Sequence, residues 1–413
     1  MCIEWTSWKQ PGRRRAGRIA GGAAVGAVLG ALAVLGVGGT AGATALPLED
    51  RGPNARAPVA RDDSGRWGGP PTGMIRLASQ HAPSPARGAA PFAAGRPAGA
   101  PLDSASLAPV YARAARLPRL RSLLVQSRGR LVGERYFHGA TRTRRANIKS
   151  ASKSVISALV GIAIARGHIA GVQQTVGELL PGRLGRDADP RKRAITVEDL
   201  LTMRAGLEST SFENYGAWVT SRNWVRDALR RPLVAAPGGP MIYSTGSTHL
   251  LSAILTRATG TSTYRFAERE LARPLGIDLR PWKRDPQGIY FGGNDMYLTP
   301  REMVRLGALY LNGGAVNGRQ VVPRAWVEAS MQPRTRSGWS GEDYGYGWWI
   351  RDSGGHRVFY AWGYGGQFIY VVPTLSLVVV TTSESEASTR DGGHLGTIHG
   401  LLDEIVAAAA AAR

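Results

Sequence analysis

Ser150 and Lys153 lie three residues apart and introduce an uncharged run, "SVISALVGIAIA". On a helix, this spacing places both side chains on one face, within reach of a hydrogen bond. A serine hydroxyl becomes a nucleophile when a base accepts its proton. Lysine can be that base once burial lowers its pKa, whereas arginine keeps its proton. Only five of the 52 basic residues are lysine, so the pair indicates a Ser–Lys nucleophile. An ordinary serine-capped helix is the alternative.

Outside this pair, the sequence offers little catalytic chemistry. Lys149 directly precedes Ser150, and its type suggests nothing beyond local positive charge. There is no G-x-S-x-G, H-E-x-x-H or P-loop motif, and no G-x-G-x-x-G follows a strand. The one cysteine, Cys2, excludes an intrachain disulfide and a thiol nucleophile in the body of the chain. The seven histidines lack metal-ligand spacing, and we expect His394 and His399 to be exposed. Neither a cofactor nor a metal is predicted.

The elements that would position the pair follow from periodicity and end signals. Alternation around a Ser-Arg-Gly turn predicts a hairpin over 121–137. Capping residues, an N-terminal proline and closing glycines predict helices over 150–167, 196–203, 245–260, 299–314 and 394–411. Four strand patterns cluster near the C-terminus: "GYGWWIRD", "HRVFYA", "GQFIYVVP" and "SLVVVTT". Strands at both ends with helices between them predict one mixed α/β (α+β) unit, its sheet built from both ends of the domain.

Several segments, in this order, carry a resemblance to a known family: "NIKSASKSVISALVGIAIARGHI", "ITVEDLLTMRAGLE", "PGGPMIYSTGSTHLLSAILTRATG", "GIYFGGNDMYLTP", "YGYGWWI" and "YAWGYGGQFIYVVP". They cover about 105–410 and resemble the serine β-lactamase-like, penicillin-binding superfamily. Within it, the chain resembles class C β-lactamases, D-Ala-D-Ala peptidases and related esterases, and most closely 6-aminohexanoate-dimer hydrolases. The resemblance implies a β-lactamase/transpeptidase-like fold: an antiparallel sheet flanked by helices, plus a helical subdomain.

The resemblance also implies roles for individual residues. Ser150 would be the acyl-forming nucleophile and Lys153 its proton partner. The family's second motif, Tyr-x-Asn, is Tyr243-Ser244-Thr245 in this chain. Tyr243 would act as general base and acid, kept acidic by the neighbouring Lys153; a core tyrosine at a helix start is the alternative. Thr245 has a hydroxyl in place of the amide that normally binds the lysine and the substrate carbonyl.

The third motif of penicillin-recognising members is Lys-Thr-Gly or His-Thr-Gly. Its counterpart in "YAWGYGGQ" is either Ala361-Trp362-Gly363 or a stretch one or two residues away. Neither lysine nor histidine is present to meet the carboxylate of a β-lactam or a peptidoglycan stem peptide. This lowers the expectation of β-lactamase or carboxypeptidase activity. The strand could still donate a backbone N–H near Gly363 that, together with the N–H of Ser150, would bind the oxyanion. Trp362 and Thr245 are the further candidates for substrate binding.

Two other segments could border the site. "SFENYGAWVTSRNW" contains Tyr215, Trp218 and Trp224, which would either line an aromatic acyl or amine pocket or pack in the core. Gly292-Gly293-Asn294 predicts either a loop at the edge of the site or a simple turn.

The N-terminal third has a different character. Residues 1–45 combine "RRRAGR", an apolar run and an A-x-A sequence, the three parts of a secretory signal. A membrane anchor through residues 19–45 is the alternative. Residues 46–104 are rich in Pro, Ala and Arg and predict a flexible linker. This leaves 105–413 as the hydrolase domain of an exported protein, whether periplasmic, secreted or envelope-associated.

The net charge of +22 is uneven: residues 1–150 hold 23 Lys and Arg against 7 Asp and Glu, and residues 151–413 hold 29 against 23. A nucleic-acid enzyme would carry its basic surface on the folded part, so no nucleic-acid partner is expected. The sequence predicts an exported serine hydrolase that cleaves a small-molecule amide or ester through an acyl-enzyme on Ser150. The alternatives are a catalytically silent protein that binds cell-wall fragments or a partner, and a β-lactamase or D-Ala-D-Ala carboxypeptidase.

Overall fold

The strands predicted near the C-terminus form the middle of a large antiparallel sheet in a computed structural model of the protein. The structure describes residues 102–185, 188–385 and 393–412. The predicted signal or anchor (1–45) and nearly all of the predicted linker (46–104) therefore lie outside the described residues. The strands, in chain order, are β1 (Leu120–Ser127), β2 (Arg130–Tyr136), β3 (Ala146–Asn147), β4 (Tyr297–Leu298), β5 (Ala315–Val316), β6 (Arg319–Gln320), β7 (Thr335–Arg336), β8 (Asp343–Tyr344), β9 (Trp349–Ser353), β10 (His356–Gly363), β11 (Gln367–Val372) and β12 (Leu377–Ser383).

The main sheet joins the two ends of the domain. Within the described residues its strand order is β2-β1-β12-β11-β10-β9-β8-β7, and the paired strands are antiparallel. β1 and β2 are the predicted hairpin, and β12 pairs with β1, with Leu124 opposite Val380. This confirms a sheet built from both ends of the domain.

Both faces of the sheet are covered. Along β11, Ile369 and Val371 point into one hydrophobic core. Phe368, Tyr370 and Val372 point into the other. Successive strand residues face opposite sides, so an unbroken apolar run is the pattern of a strand buried on both faces.

The helices supply the two covering layers. They are α1 (Ala108–Ala115), α2 (Ser152–Ala165), α3 (Val176–Leu179), α4 (Val197–Leu201), α5 (Tyr215–Val219), α6 (Trp224–Arg230), α7 (Thr245–Thr259), α8 (Thr263–Ala267), α9 (Arg273–Leu275), α10 (Pro300–Leu311), α11 (Arg324–Ser330) and α12 (His394–Ala411). α1 and α12 pack on one face, α2 and α10 on the other, and α3 to α9 form the helical part of the domain. None of the described helices has both the length and the hydrophobicity to span a bilayer, and the possible anchor at 19–45 lies outside the described residues.

Helix ends match their sequence signals. At the start of α4, the N–H of Asp199 donates to Thr196 Oγ1 at 3.0 Å, and the N–H of Thr196 donates to Asp199 Oδ2 at 2.9 Å. Thr299 and Glu302 make the same capping box before α10. α7 ends at Gly260, whose φ of +65° suits glycine. Local capping chemistry therefore sets these boundaries.

The expectation that His394 and His399 are exposed is wrong. His394 is 9% exposed, and its Nε2 lies 3.1 Å from Ser383 Oγ. The ring of His399 packs 5.1 Å from that of Phe368, and burial lowers its pKa to about 3. α12 is rich in small apolar residues all round, so its sequence does not show which side packs on the sheet.

Candidate active site

Ser150 lies in the turn that begins α2. Lys149–Ala151 form a 3₁₀ turn that continues directly into the helix. One turn further on, Lys153 donates from Nζ to Ser150 Oγ at 3.0 Å, so the contact predicted from the three-residue spacing is present. Ser150 is partly exposed, whereas Lys153 is only 2% exposed. The nucleophile can therefore meet a substrate while the amine stays shielded from water.

Lys149 has a left-handed backbone, with φ of +49°, directly before Ser150. For a residue other than glycine this conformation costs about 1 kcal/mol. Its N–H donates to Asn147 Oδ1 at 2.9 Å, and its carbonyl accepts from Ser152 Oγ at 2.7 Å. These bonds hold the turn that presents the nucleophile.

Neutral oxygen atoms surround the amine of Lys153. Nζ donates to Gly293 O at 2.8 Å and to Thr245 Oγ1 at 3.3 Å, in addition to Ser150 Oγ. No carboxylate among the described residues pairs with it, and burial lowers the pKa of Lys153 from 10.5 to about 7. When Lys153 is a neutral amine, its two N–H groups can donate to Gly293 O and Thr245 Oγ1. The lone pair of its nitrogen then faces Ser150. The lysine can accept a proton near neutral pH.

Thr245, the first residue of α7, is held by a loop rich in hydroxyl groups. Ser211 Oγ lies 2.9 Å from Thr245 Oγ1 and accepts from the Thr245 N–H at 2.9 Å. Ser209 Oγ accepts from the N–H of Ser211 at 2.9 Å and donates to Tyr243 O at 2.7 Å. The loop thus anchors Tyr243 and Thr245, the first and last residues of the second motif. Sequence reasoning missed Ser209 and Ser211, because a run of Ser and Thr is equally typical of an ordinary surface turn.

Tyr243 hydrogen-bonds Ser150 through its phenol, and Lys153 Nζ lies 5.1 Å from the centre of its ring. Burial raises the pKa of Tyr243 to about 12, and the bond to Ser150 offsets only part of this rise. The expectation that Lys153 keeps the phenol acidic is therefore wrong. A lysine with a pKa of about 7 carries little charge above neutral pH with which to stabilise a phenolate. Tyr243 stays a neutral phenol, suited to donate a proton.

Gly363, the last residue of β10, lies directly against the segment that leads to Ser150. A Cβ at this position would come within 2.0 Å of Ile148 O, so the close approach requires glycine. Gly363 also pairs with Gln367 across the turn to β11. The first and third motifs are therefore neighbours. The oxyanion role of the Gly363 and Ser150 N–H groups stays a prediction.

Trp362 belongs to a row of aromatic rings that reaches Tyr243. Its ring centroid lies 5.4 Å from those of both Trp339 and Trp349, and Trp349 stacks on Tyr243 at 6.0 Å. Phe212, 51% exposed, packs against Tyr243 at 6.2 Å. We call these five residues the aromatic wall. Sequence reasoning did not single out Trp339, Trp349 or Phe212, although Trp349 lies in "YGYGWWI" and Phe212 in "SFENYGAWVTSRNW".

The aromatic residues proposed from the sequence as pocket lining mostly pack elsewhere. Trp218 and Trp224 are 0% and 2% exposed and belong to the core, so the core alternative is correct for both. The partly buried Tyr215 accepts from Asn294 Nδ2 through its hydroxyl at 2.9 Å. The Gly-Gly-Asn loop does border the site, since Gly293 O contacts the lysine amine.

Together these residues can supply a nucleophile, a base with a pKa of about 7, a proton donor and acceptors that orient the base. Such a set suits acyl transfer from an ester or an amide. In the part of the chain that the structure describes, no group of three or more His, Cys, Asp or Glu side chains is arranged to hold a metal ion.

An antiparallel sheet covered by helices, with a Ser-x-x-Lys turn against its β10 strand, is the architecture of β-lactamases and penicillin-binding transpeptidases. The Beta-lactamase family model matches residues 121–402, and the chain belongs to the β-lactamase family. The 6-aminohexanoate-dimer hydrolase of Paenarthrobacter ureafaciens is 26% identical over 300 residues, which covers 65% of this chain and 74% of the relative.

Two solved structures show the same fold. A penicillin-binding protein homologue from Caulobacter crescentus is 16% identical with a TM-score of 0.61, covering 74% of this chain and 97% of that one. EstCE1, described as a hydrolase with promiscuous acyltransferase activity, is 18% identical with a TM-score of 0.60, covering 73% and 99%. The predicted family and fold class are confirmed, and the relatives support a hydrolase.

Proposed function

We propose that this protein is a serine hydrolase that cleaves an uncharged amide or ester through an acyl-enzyme on Ser150. The proposal is carried by the 3.0 Å contact between Lys153 Nζ and Ser150 Oγ, at a place where burial lowers the pKa of Lys153 to about 7. A buried lysine without a carboxylate partner is costly. Its contact with a serine hydroxyl gives it the role of a base.

In the acylation step, the amine of Lys153 accepts the proton of Ser150, and Oγ attacks the carbonyl carbon of the substrate. A C–O bond forms, and negative charge develops on the carbonyl oxygen. The backbone N–H groups of Ser150 and Gly363 donate to this oxyanion. The close approach of Gly363 to Ile148 O supports this role, because it brings β10 beside the turn of the nucleophile.

Departure of the amine or alcohol then requires a proton. Tyr243, with a pKa raised to about 12, still carries its proton and donates it as the bond to the leaving group breaks. The ammonium of Lys153 returns the proton to the phenol. Water then attacks the acyl carbonyl while Lys153 accepts its proton. Lys153 passes this proton to Ser150 Oγ as the acyl C–O bond breaks, which releases the acid and restores the serine hydroxyl and the free amine.

The aromatic wall supports an apolar, uncharged group on the substrate. When the third motif is aligned with Ala361-Trp362-Gly363, Ala361 stands where penicillin-recognising relatives carry a cation, and the next residue, Trp362, has the aromatic neighbours Trp339 and Trp349. Such rings stabilise apolar and aromatic groups through burial and stacking. A carboxylate placed against these rings would lose hydration, and no side chain of the aromatic wall carries a positive charge to pair with it. Simple esters and amides therefore fit better than β-lactams or stem peptides.

Intact-mass spectrometry tests the proposal with three probes: p-nitrophenyl butyrate, the matching p-nitroanilide and benzylpenicillin. We expect an acyl adduct from the ester on the wild-type protein and none on Ser150→Ala. Ser157→Ala is the matched control, because this buried serine of α2 has no hydrogen-bond partner in the described structure. Its acylation should equal that of the wild type.

Undiminished ester turnover by Ser150→Ala would contradict the assignment. A folded wild-type protein that forms no adduct with any probe would favour the catalytically silent binding protein. An adduct from penicillin alone would favour a penicillin-interactive enzyme.

We also propose that the protein is exported, because residues 1–45 have the three parts of a secretory signal. Sequencing the N-terminus of protein recovered from the periplasm or the medium should place the mature start near residue 46. Recovery of the uncut chain in the membrane fraction would favour an anchor instead.

A further inference from the structure

A buried His–Asp pair, His249 and Asp285, lies behind the site, and neither residue was assigned a role from the sequence. His249 Nε2 and Asp285 Oδ2 are 3.1 Å apart, and both side chains are fully buried. The rings of Trp218, Trp224 and Phe291 surround the imidazole, with centroids at 5.8, 5.3 and 5.9 Å. Burying a carboxylate this deeply is costly unless its hydrogen bonds are satisfied. The contacts of the pair show what it holds in place.

The second ring nitrogen of His249 faces the loop that borders the site. Nδ1 accepts from the N–H of Gly292 at 3.4 Å. A backbone N–H can only donate, so Nδ1 is unprotonated and Nε2 carries its proton toward Asp285. Asp285 Oδ1 accepts from the N–H groups of Gln287 and Ile289, at 2.9 and 2.8 Å. The pair thus ties α7 to both ends of the segment 285–292.

The residue after Gly292 is Gly293, whose carbonyl accepts from Lys153 Nζ at 2.8 Å. Both glycines press against α7: a Cβ at 292 would lie 2.1 Å from Thr248 O, and one at 293 would lie 2.4 Å from Thr248 Oγ1. With the backbone confined on one side and its N–H held by His249, the loop has little freedom to turn its carbonyl away from the lysine.

We propose that the His249–Asp285 pair positions the Gly293 carbonyl against the amine of Lys153 and thereby directs the amine toward Ser150. This inference rests on the proposed function, since the orientation of Lys153 matters only if the lysine is the base. The pair is a positioning device and touches no reacting atom. Without the carbonyl, the amine loses one of the two acceptors of its N–H bonds and is free to rotate away from the nucleophile.

Two variants, one double and one single, break the positioning in different ways, and both are made in the full-length chain. His249→Leu combined with Asp285→Leu removes the pair without leaving an unpaired charge. Asp285→Asn keeps the shape but places an amide N–H₂ opposite Nε2, which moves the ring proton to Nδ1 and opposes the Gly292 N–H. For either variant we expect kcat for p-nitrophenyl butyrate to fall about 10- to 100-fold, with KM within about twofold.

A rescue variant tests whether the acceptor of the Gly292 N–H, the role of His249 Nδ1, accounts for the effect. His249→Asn combined with Asp285→Leu places an amide oxygen near the position of Nδ1, where it can accept from the Gly292 N–H. It should recover most of the kcat lost in the double leucine variant. Ser122→Ala is the stability control. Ser122 lies on β1, three strands from β10, and its substitution removes a buried 2.6 Å hydrogen bond to Thr382. Its kcat should match that of the wild type.

The pH profile separates positioning from a general loss of stability. A carbonyl binds an ammonium group more strongly than an amine, so losing the Gly293 contact should move the acid limb of kcat/KM to lower pH. Other titratable or charged groups lie near these residues. Tyr243 faces Lys153 and Asp285 faces His249. The amine of Lys283 lies 5.4 Å from the ring centroid of Trp224, one of the rings around His249. Ser122→Ala should leave the limb unmoved.

Wild-type kcat and an unmoved acid limb in Asp285→Asn would overturn the inference, even if the double leucine variant fails to fold. In that case a wild-type enzyme still acylated at Ser150 would leave the proposed function standing. A wild-type protein that is never acylated would remove the proposed function itself.

Discussion

Two buried lysines lie in different regions of the molecule and have different surroundings. Lys153 is 2% exposed and Lys192 is 8% exposed, and burial lowers the pKa of both. Lys192 Nζ donates to Leu229 O at 3.0 Å and to Arg231 O at 2.7 Å, the carbonyls at the end of α6. The negative end of a helix favours a cation, and a carbonyl has no proton to give. Lys153 instead contacts a serine hydroxyl, so its proposed role as a base depends on this partner as well as on burial.

Exchanging each lysine for arginine tests this contrast with the largest effect. Lys153→Arg should lower kcat/KM for p-nitrophenyl butyrate by about 10³-fold, because a guanidinium does not release its proton. Lys192→Arg keeps a charged donor near both carbonyls and should stay within about twofold of wild type. Steady-state kinetics, with circular dichroism to verify folding, measure both. An active Lys153→Arg enzyme would contradict the role of base.

Tyr243→Phe removes the phenol beside Lys153 that we propose as the proton donor. The contacts described for Lys192 are with backbone carbonyls instead. The ring stays to stack on Trp349, so folding should be kept. We expect kcat for an anilide to fall about 100-fold and kcat for a p-nitrophenyl ester to fall less, because p-nitrophenolate leaves without a proton. Tyr111→Phe is the control, since its buried hydroxyl has no hydrogen-bond partner in the described structure. Equal losses for ester and anilide would argue against proton donation by Tyr243.

The pH dependence should report Lys153. With a pKa of about 7, it is mostly protonated in acid, so kcat/KM should fall about tenfold per pH unit below neutrality. Tyr243, raised to about 12, should add no alkaline limb below about pH 10. A profile that stays flat from pH 5 to 8 would show that another group is the base.

The free energy of unfolding should also depend on the protonation of Lys153. Because the pKa of Lys153 falls from 10.5 to about 7 on folding, the unfolded chain binds the extra proton between these values. The free energy of unfolding should therefore rise with pH across that window. Urea denaturation at several pH values measures this rise. In Lys153→Met the contribution of this residue should be absent.

The smallest effect on activity is expected at Lys192. Lys192→Met leaves the carbonyls at the end of α6 without their donor, which should lower the free energy of unfolding by about 1–3 kcal/mol. Turnover should stay within about twofold, whereas Lys153→Met should be inactive. A comparable loss of turnover in the folded Lys192→Met protein would erase the distinction between the two lysines.

Much of the fold and half of the site follow from short-range chemistry. Ser150 and Lys153 could be paired from the sequence because three residues on one helix leave little choice of geometry. The caps at Thr196 and Thr299 act within one turn, so their helix starts were also predictable. Tyr243 was found through its resemblance to a family motif, and its hydrogen bond to Ser150 agrees with the grouping.

The sequence by itself therefore determined the candidate nucleophile and its candidate base, the N-terminal hairpin, the four C-terminal strands and the family. Only the tertiary structure decided the rest. Gly293 lies 140 residues beyond Lys153 in the chain, and the direction of a backbone carbonyl has no signature in residue type. Trp349 stacks on Tyr243, and Trp339 packs against Trp349, only because segments far apart in the chain meet in the fold. The left-handed turn at Lys149 is visible only in its φ angle. Burial, which sets the pKa of both Lys153 and Tyr243, depends on how distant segments pack, and no local pattern encodes that.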